Sequence, residues 1–514
     1  MKYLYGIALL ACVILWSSCR NDFETVASTG NLEFSRDTVY LDTVFTNIGS
    51  STYNLKVYNR SDEDINIPVI TLANGEGSSY RLNVDGIPGK SFENITILAK
   101  DSIFIFIETT IDINNFPNPD NAFLYTDEIL FDTGGNQQDV DLVTLVQDAV
   151  FLFPARFADG TVETLNLGVD GEGNDIIVEG FFLDDTELNF TNEKPYVIYG
   201  FAAVPPDKTL TVDAGARVHF HADSGIIVSN TGSIQVNGTP STDPELMENE
   251  VIFEGDRLEP SFANVPGQWS TIWLTQGSIN NVFTNTTIKN SIVGILNDNS
   301  PVALNNVQIY NSANVGLLGR TATVVGNNLV INNSGQASLA CSLGGDYVFN
   351  HSTFANYWVN SFRTFPAVLI DNVLQVSETE IVVADLVRAE FNNCIVYGSE
   401  QREIGFINEP SALFNFKFNN CLIRFEDPNG EFTDIPEYQF QNNELYSNIV
   451  RNQDPVFFNT ELNDFNIETG TSGADGIGLP GIGPVLDLNG TPRGANPDAG
   501  AYESIVFPDP GGTP

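Results

Sequence analysis

Ile288-Lys289-Asn290, Ile309-Tyr310-Asn311, Ile331-Asn332-Asn333 and Phe354-Ala355-Asn356 are four copies of one short pattern. Successive copies stand 21, 22 and 23 residues apart. A period in that range marks one structural unit stacked on copies of itself. The residues around each copy are β-branched, aromatic, Asn, Ser and Gly, with almost no helix-forming run. The unit is therefore a turn of strands, and the spacing predicts a β-solenoid. A strand buried on its inner face needs an apolar residue at every second position. Ile288, Ile309, Ile331 and Phe354 are expected to stack in the core, with Asn290, Asn311, Asn333 and Asn356 at a corner. Asn305-Asn306, Asn327-Asn328, Asn392-Asn393 and Asn419-Asn420 each precede a further strand. Asn tolerates the left-handed backbone of a tight corner, and its amide can bond to the Asn above and below. These pairs are expected to be structural ladders rather than ligand sites.

Outward from the repeat, the same pattern starts near Pro195. Leu210–Phe220 reads as strand, turn, strand, and Ile226-Ile227-Val228, Ser233–Thr239, Val251–Gly255 and Gly267–Leu274 continue it. The run from Leu210 through Trp273 resembles the opening coils of right-handed parallel β-helix proteins of the pectin-lyase-like type. Asp454–Phe457, Asn463–Ile467 and Asn496–Glu503 resemble the closing coils of that family. The resemblance specifies fold strongly and activity hardly at all. A solenoid needs its ends covered, and the segments before Leu210 and after Asp454 are the candidate caps.

Residues 31–149 read as short alternating strands between turn dipeptides such as Asn74-Gly75 and Asp85-Gly86. Alternation puts Val39, Leu41, Thr43 and Phe45 on one face. Ile103, Ile105 and Ile107 share a strand with Phe104 and Phe106 on its other side, the pattern of a strand buried on both faces. The stretch resembles the immunoglobulin-like domains of bacterial surface proteins, without their Cys…Trp…Cys signature, and predicts an antiparallel sandwich. The expected fold is all-β: an N-terminal immunoglobulin-like β-sandwich (31–149), a connecting or capping segment (150–199), a right-handed parallel β-helix (200–505) and a tail (506–514). Asp170–Asp175 alternates acids and glycines like a calcium loop. It departs from the EF-hand pattern at Asp175 and Phe181, so a turn is favoured over a structural calcium site.

At the N-terminus, Met1-Lys2, the apolar run Ile7–Trp16 and Ser17-Ser18 form a secretory signal (1–18). Cys19 after two small residues resembles the lipobox of bacterial lipoproteins, although Trp16 stands where that pattern prefers Leu. The resemblance implies cleavage before Cys19, lipidation of that residue and a membrane anchor at the end of a tether (19–30). Arg20-Asn21-Asp22-Phe23-Glu24 resembles the acidic export signal of Bacteroidota surface lipoproteins. It implies an outer-membrane protein facing the cell exterior.

Lys and Arg number 22 against 66 Asp and Glu, a net charge of −44. Such a chain repels phosphate backbones, which excludes nucleic acid as a partner. Cys341, Cys394 and Cys421 form no CxxC pair and read as buried, inert thiols. Lyases of the β-helix family use Lys or Arg as base on anionic polysaccharide, and hydrolases use clustered aspartates with GHG and RIK motifs. Lys208, Lys289, Lys417, Arg320, Arg363 and Arg388 are scattered, and neither motif is present. No catalytic residue is assigned. His219 and His221 lie two apart on one strand, and Asp223 would share their face. The three are a candidate metal set, though an ordinary surface pair is favoured.

Tyr357, Trp358, Phe362 and Phe365 cluster where the repeat is interrupted. Aromatic faces stack sugars or anchor protein partners, and insertions on solenoids often build the binding face. They are the candidate binding residues. The favoured function is a non-catalytic surface lipoprotein that binds protein or glycan, one version being an accessory subunit of an outer-membrane barrel complex. The alternative is a polysaccharide lyase or glycoside hydrolase, whose mark would be acids, or Arg/Lys with acids, converging on one groove.

Overall fold

The computed structural model describes residues 25–116, 122–169, 173–243, 246–377 and 380–508. The chain divides after Asp148 into two compact units.

The first unit is a β-sandwich. One sheet joins Thr38–Phe45, Gln138–Gln147, Ala122–Phe131, Ile65–Leu72 and Ser91–Ile97; the other joins Tyr53–Tyr58, Ser102–Thr109 and Tyr80–Val84. Val39, Leu41, Ile67, Ile129 and Leu142 meet Leu55, Val57, Ile105 and Ile107 between them. Tyr80 Oη crosses the core to donate to Thr144 Oγ1 at 3.0 Å. Three expectations need correction. Gln138–Gln147 runs parallel to Thr38–Phe45, so the sandwich is not wholly antiparallel. Asp42 takes a left-handed φ of 55° where that pairing shifts register. Such a bulge reverses the alternation, so Val44 rather than Thr43 joins the core. Phe104 and Phe106 are exposed on the outer face, their rings 6.1 Å apart, with Lys56 over Phe104. That strand is central in its sheet but buried on one face only.

The second unit is a parallel β-helix, its pairings resolving into three ladders. The first face carries the repeat. Val150, Tyr196, Val218, Phe253, Ile288, Ile309, Ile331, Phe354, Val396 and Ile423 are directly paired neighbours in successive coils. The expected core stack is thus present and extends beyond the four copies. Ile288, Ile331 and Phe354 are fully buried. Each such side chain contributes about 1.5–3 kcal/mol relative to exposure. The second face contains Gly225–Val228, Thr271–Leu274 and Val293–Asp298, and the third contains Thr209–Val212, Ser233–Asn237 and Phe414–Asn419.

The corner between the third and first faces is the Asn ladder. Asn285, Asn306, Asn328, His351, Asn393, Asn420 and Asn448 hold left-handed φ between 43° and 54°. Asn306 Nδ2 donates to Asn285 Oδ1 at 3.0 Å and Asn328 Nδ2 to Asn306 Oδ1 at 2.9 Å. A second column runs Asn305, Asn327, Asn350, Asn392 and Asn419, with amide spacings of 2.8 to 3.1 Å. The repeat's own Asn column also forms: Asn311 donates to Asn290 and Asn333 to Asn311. It stops there. Asn356 turns its amide to the Ser334 and Gln336 carbonyls, and Asn333 Oδ1 is left without a partner among the described residues.

Two boundaries differ from the sequence reading. The parallel ladder begins at Val150–Leu152, which pairs with Tyr196–Ile198. The first coil is interrupted by a hairpin of Thr164–Val169 and Asp175–Phe182, which hides the period. Residues 150–199 therefore belong to the β-helix. At the other end the parallel ladder closes at Val450–Arg451. Phe425, Phe432, Tyr438, Phe440 and Tyr446 pack over that end of the core. The segment after Asp454, expected to form closing coils, instead runs back as a strap over the outer side of the first face. There Phe465, Ala501 and Tyr502 pack on Tyr310, Val330 and Ala355. Ile467, Ala474 and Ala499 cover Ile395 and Leu422.

Candidate functional site

A groove of about 800 Å3 lies on the outside of the second face. Strand alternation turns Ile226, Ile272 and Ile295 inward and presents Ile227 and Trp273 outward. Leu165, Leu167 and Val178 of the first-coil hairpin pack on Ala203, Ile227 and Trp273 and raise one wall. Leu374, from a second hairpin of Val373–Gln375 and Ile381–Val383, contributes to the far side. Direct pairing of adjacent coils puts Asp298 beside Arg320. Trp273 Nε1 donates to Asp298 Oδ2 at 2.8 Å, and Arg320 donates Nη2 to the same oxygen at 2.6 Å and Nε to Oδ1. The indole is thereby fixed in orientation, and the carboxylate is neutralised by a two-point guanidinium contact. Asn166, Asn230, Gln276 and Asn299 supply amides around it.

This arrangement suits recognition. An indole face stacks on the apolar face of a pyranose, and amides serve hydroxyls as both donors and acceptors. Acid–base cleavage of a glycoside needs two carboxyl groups in different protonation states. Among the described residues lining this groove Asp298 is the single acid, and it is paired with Arg320. Asp371, further along the same edge, is spent on Ser342 Oγ and the Leu343 amide. Burial pushes its pKa above the usual carboxylate value.

The interrupted repeat does not place its four aromatics on one surface. Tyr357 packs on Phe457 and Phe465 of the strap, each ring centre 6.3 Å away, so it serves the strap's core. Trp358 lies partly buried near Gly335, its Nε1 donating to Ser361 Oγ at 2.9 Å. Phe362 and Val359 are 89% and 82% exposed, and Phe365 is 41% exposed. Sequence reasoning missed what holds this loop. Arg363 inserts into the fold and donates to both Glu403 oxygens and to the Asn356 and Phe365 carbonyls. The two residues are 40 apart in sequence, and no local pattern links them.

His219, His221 and Asp223 do not converge. His219 is buried, its Nδ1 3.2 Å from Gly255 O, and burial lowers its pKa. His221 stacks on Tyr199 and places Nδ1 2.8 Å from Asp256 Oδ2. Asp223 is exposed at the following turn. Among the described residues no group of three or more His, Cys, Asp or Glu side chains gathers as metal ligands. Cys341, Cys394 and Cys421 are buried and free, and burial raises the Cys341 and Cys394 thiols. Cys19 and the Asp170–Glu172 part of the proposed calcium loop lie outside the described residues.

No protein-family description and no curated protein matches the chain. Among solved structures, a family 123 glycoside hydrolase from Clostridium perfringens aligns at 11% identity and a TM-score of 0.16, over 23% of this chain and 26% of that one. The ASH/PapD-like domain 7 of human CEP192 aligns at 11% identity and a TM-score of 0.15, over 25% of this chain and 92% of that one. The chain thus spans about a quarter of the hydrolase's length. At these scores neither likeness informs the function.

Proposed function

We propose that this protein is a non-catalytic surface lipoprotein that binds a neutral glycan in the second-face groove. The observation that carries this reading is Trp273, held in place by Asp298 and Arg320 among amide side chains. The net charge of −44 favours an uncharged polysaccharide over pectin-like chains. The lipobox-like Ser17-Ser18-Cys19 and the following acidic residues support a lipid anchor at Cys19 and a location on the outer face of the outer membrane. Affinity gel electrophoresis with glucan, mannan and xylan tests the groove. Retardation by at least one polysaccharide, lost in Trp273→Ala, is the expected result. Retardation equal in the two proteins would remove the groove from the account.

A second contact, with a protein partner such as an outer-membrane barrel complex, is favoured by one observation. Phe362 is the most exposed large apolar side chain of the described residues, on a loop tied down by Arg363. Exposed aromatics on rigid loops are the usual anchors of protein interfaces.

A further inference from the structure

A second cleft, of about 690 Å3, opens on the outer side of the first face where the strap leaves it uncovered. Its floor is made by outward residues of two coils, Thr287 and Lys289 beside Gln308 and Tyr310. Glu250, just ahead of the Val251–Gly255 strand, lines one side, and the strap supplies Asp464 and Tyr502.

Three polar groups here are unspent. Thr287 is 4% exposed and its Oγ1 is buried without a partner among the described residues. The Gln308 carbonyl oxygen accepts from Tyr310 Oη at 2.5 Å, while its amide N–H groups donate to nothing among the described residues. The Glu250 carboxylate likewise makes no hydrogen bond among them, and burial raises its pKa against the pull of Arg217. A buried polar atom without a partner is rare and calls for a ligand, a water or an ion, and Thr287 Oγ1 is such an atom; Gln308 and Glu250 are partly exposed and line the cleft. By contrast Lys289 and Asp464 are satisfied. Lys289 Nζ lies 2.7 Å from Glu254 Oε2, and Asp464 Oδ1 accepts from the Asn466 backbone and side chain at 3.1 and 2.6 Å.

We infer that this cleft is a second binding site, for an uncharged polyhydroxylated ligand such as a segment of a neutral oligosaccharide. A sugar hydroxyl both donates and accepts. It can donate to Glu250 while accepting from Gln308, and a neighbouring hydroxyl can satisfy Thr287. An anionic ligand finds no free cation among the described residues lining the cleft, because Lys289 is paired. The floor is preorganised, since Tyr310 fixes the Gln308 amide before any ligand arrives, which lowers the entropic cost of binding. The inference stands independently of the second-face groove.

The test uses the full chain and three variants, Thr287→Val, Gln308→Leu and Trp273→Ala. Calorimetric titration is run with gluco-, manno- and xylo-pentaose, and with a galacturonate oligomer as the anionic probe. A neutral pentaose is expected to bind, with at least tenfold weaker affinity in Gln308→Leu and Thr287→Val. Thr287→Val is also expected to keep or raise the melting temperature, because it removes a hydroxyl with no partner. Binding that survives Trp273→Ala but falls in Gln308→Leu supports this cleft and sinks the groove. Binding lost in Trp273→Ala and unchanged in the other two overturns the inference and leaves the groove standing. Binding weakened by all three supports both sites. Preference for the galacturonate probe, or no binding by any probe, overturns the inference.

Discussion

Arg363 and Glu403 form a two-point ion pair, Nη2–Oε1 at 2.7 Å and Nη1–Oε2 at 2.9 Å, with side-chain exposures of 1% and 0%. Both charges have left water, so removing one partner strands the other. Such a loss costs about 3–5 kcal/mol. Glu403 also accepts the Ala367 and Glu400 amides, which ties the exposed loop to the coil that follows. Glu403→Gln and Arg363→Met are each expected to lower stability by about that amount in urea unfolding. The double variant Arg363→Met/Glu403→Leu should recover part of the loss, because no unpaired charge stays buried, while the Asn356 and Phe365 carbonyls and the Ala367 and Glu400 amides still lose these partners. Single variants within about 0.5 kcal/mol of the wild type would show that the pair carries little, as exposed pairs do.

His351 takes a ladder position that its neighbours fill with Asn, at a left-handed φ of 47°. Its Nε2 stands 2.8 Å from Asn393 Nδ2, so the ring accepts there and is neutral. Burial, and then the nearby Arg493 charge, push its pKa down to about 3. Below pH 6.5 the unfolded chain takes up a proton that the folded chain refuses. Stability from this site is therefore complete above pH 6.5 and falls as pH drops toward about 3, by about 1.4 kcal/mol per unit. His351→Asn places an amide in the column and removes the titration. Between pH 7.5 and 4.5 the variant should gain about 3 kcal/mol relative to the wild type in the unfolding free energy from denaturant titration. A difference that stays constant with pH would place the proton elsewhere.

Much of the β-helix is legible in the sequence because its code is local. Ile288, Ile309, Ile331 and Phe354 report the core by their spacing, and the Asn pairs report the corner because few other residues accept that backbone. The strap is illegible for the opposite reason, since its contacts are remote and mostly to backbone. Asn328 binds Leu486 and Arg493 across 158 and 165 residues. One signal does exist. Where the first face is covered, both sides of its strands are apolar, as in Val330-Ile331, Ile395-Val396 and Leu422-Ile423. Where it is open, polar residues flank the core position, as Thr287 and Lys289 flank Ile288. Continuous apolar pairs mark strands buried on both faces. The second-face groove is harder still to read. Trp273, Asp298 and Arg320 fall in three successive coils, and only coil register unites them.

The strap's grip on the first face rests on close approach at Gly500, which has φ +98°. A Cβ there would stand 2.6 Å from Ile395 Cδ1 and 2.8 Å from Thr353 Oγ1, and the next amide, Ala501 N, donates to that same Thr353 oxygen at 3.1 Å. Gly500→Ala is therefore both strained and overpacked, at a cost of about 2–4 kcal/mol. The cost falls on the strap, because the coils beneath keep their own ladder and stack. Hydrogen exchange should accelerate for amides of Asp464–Ile467 and of residues 499–505 while those of Ile309 and Ile331 stay protected. Gly494→Ala, with no neighbour within 4 Å of the added carbon, is the matched control and should leave both sets unchanged. Because Asp464 and Tyr502 wall the first-face cleft, Gly500→Ala should also weaken any ligand held there while sparing the Trp273 groove. Uniform acceleration through the coils would mean that strap and β-helix open as one unit, and that the strap is part of what holds the coils folded.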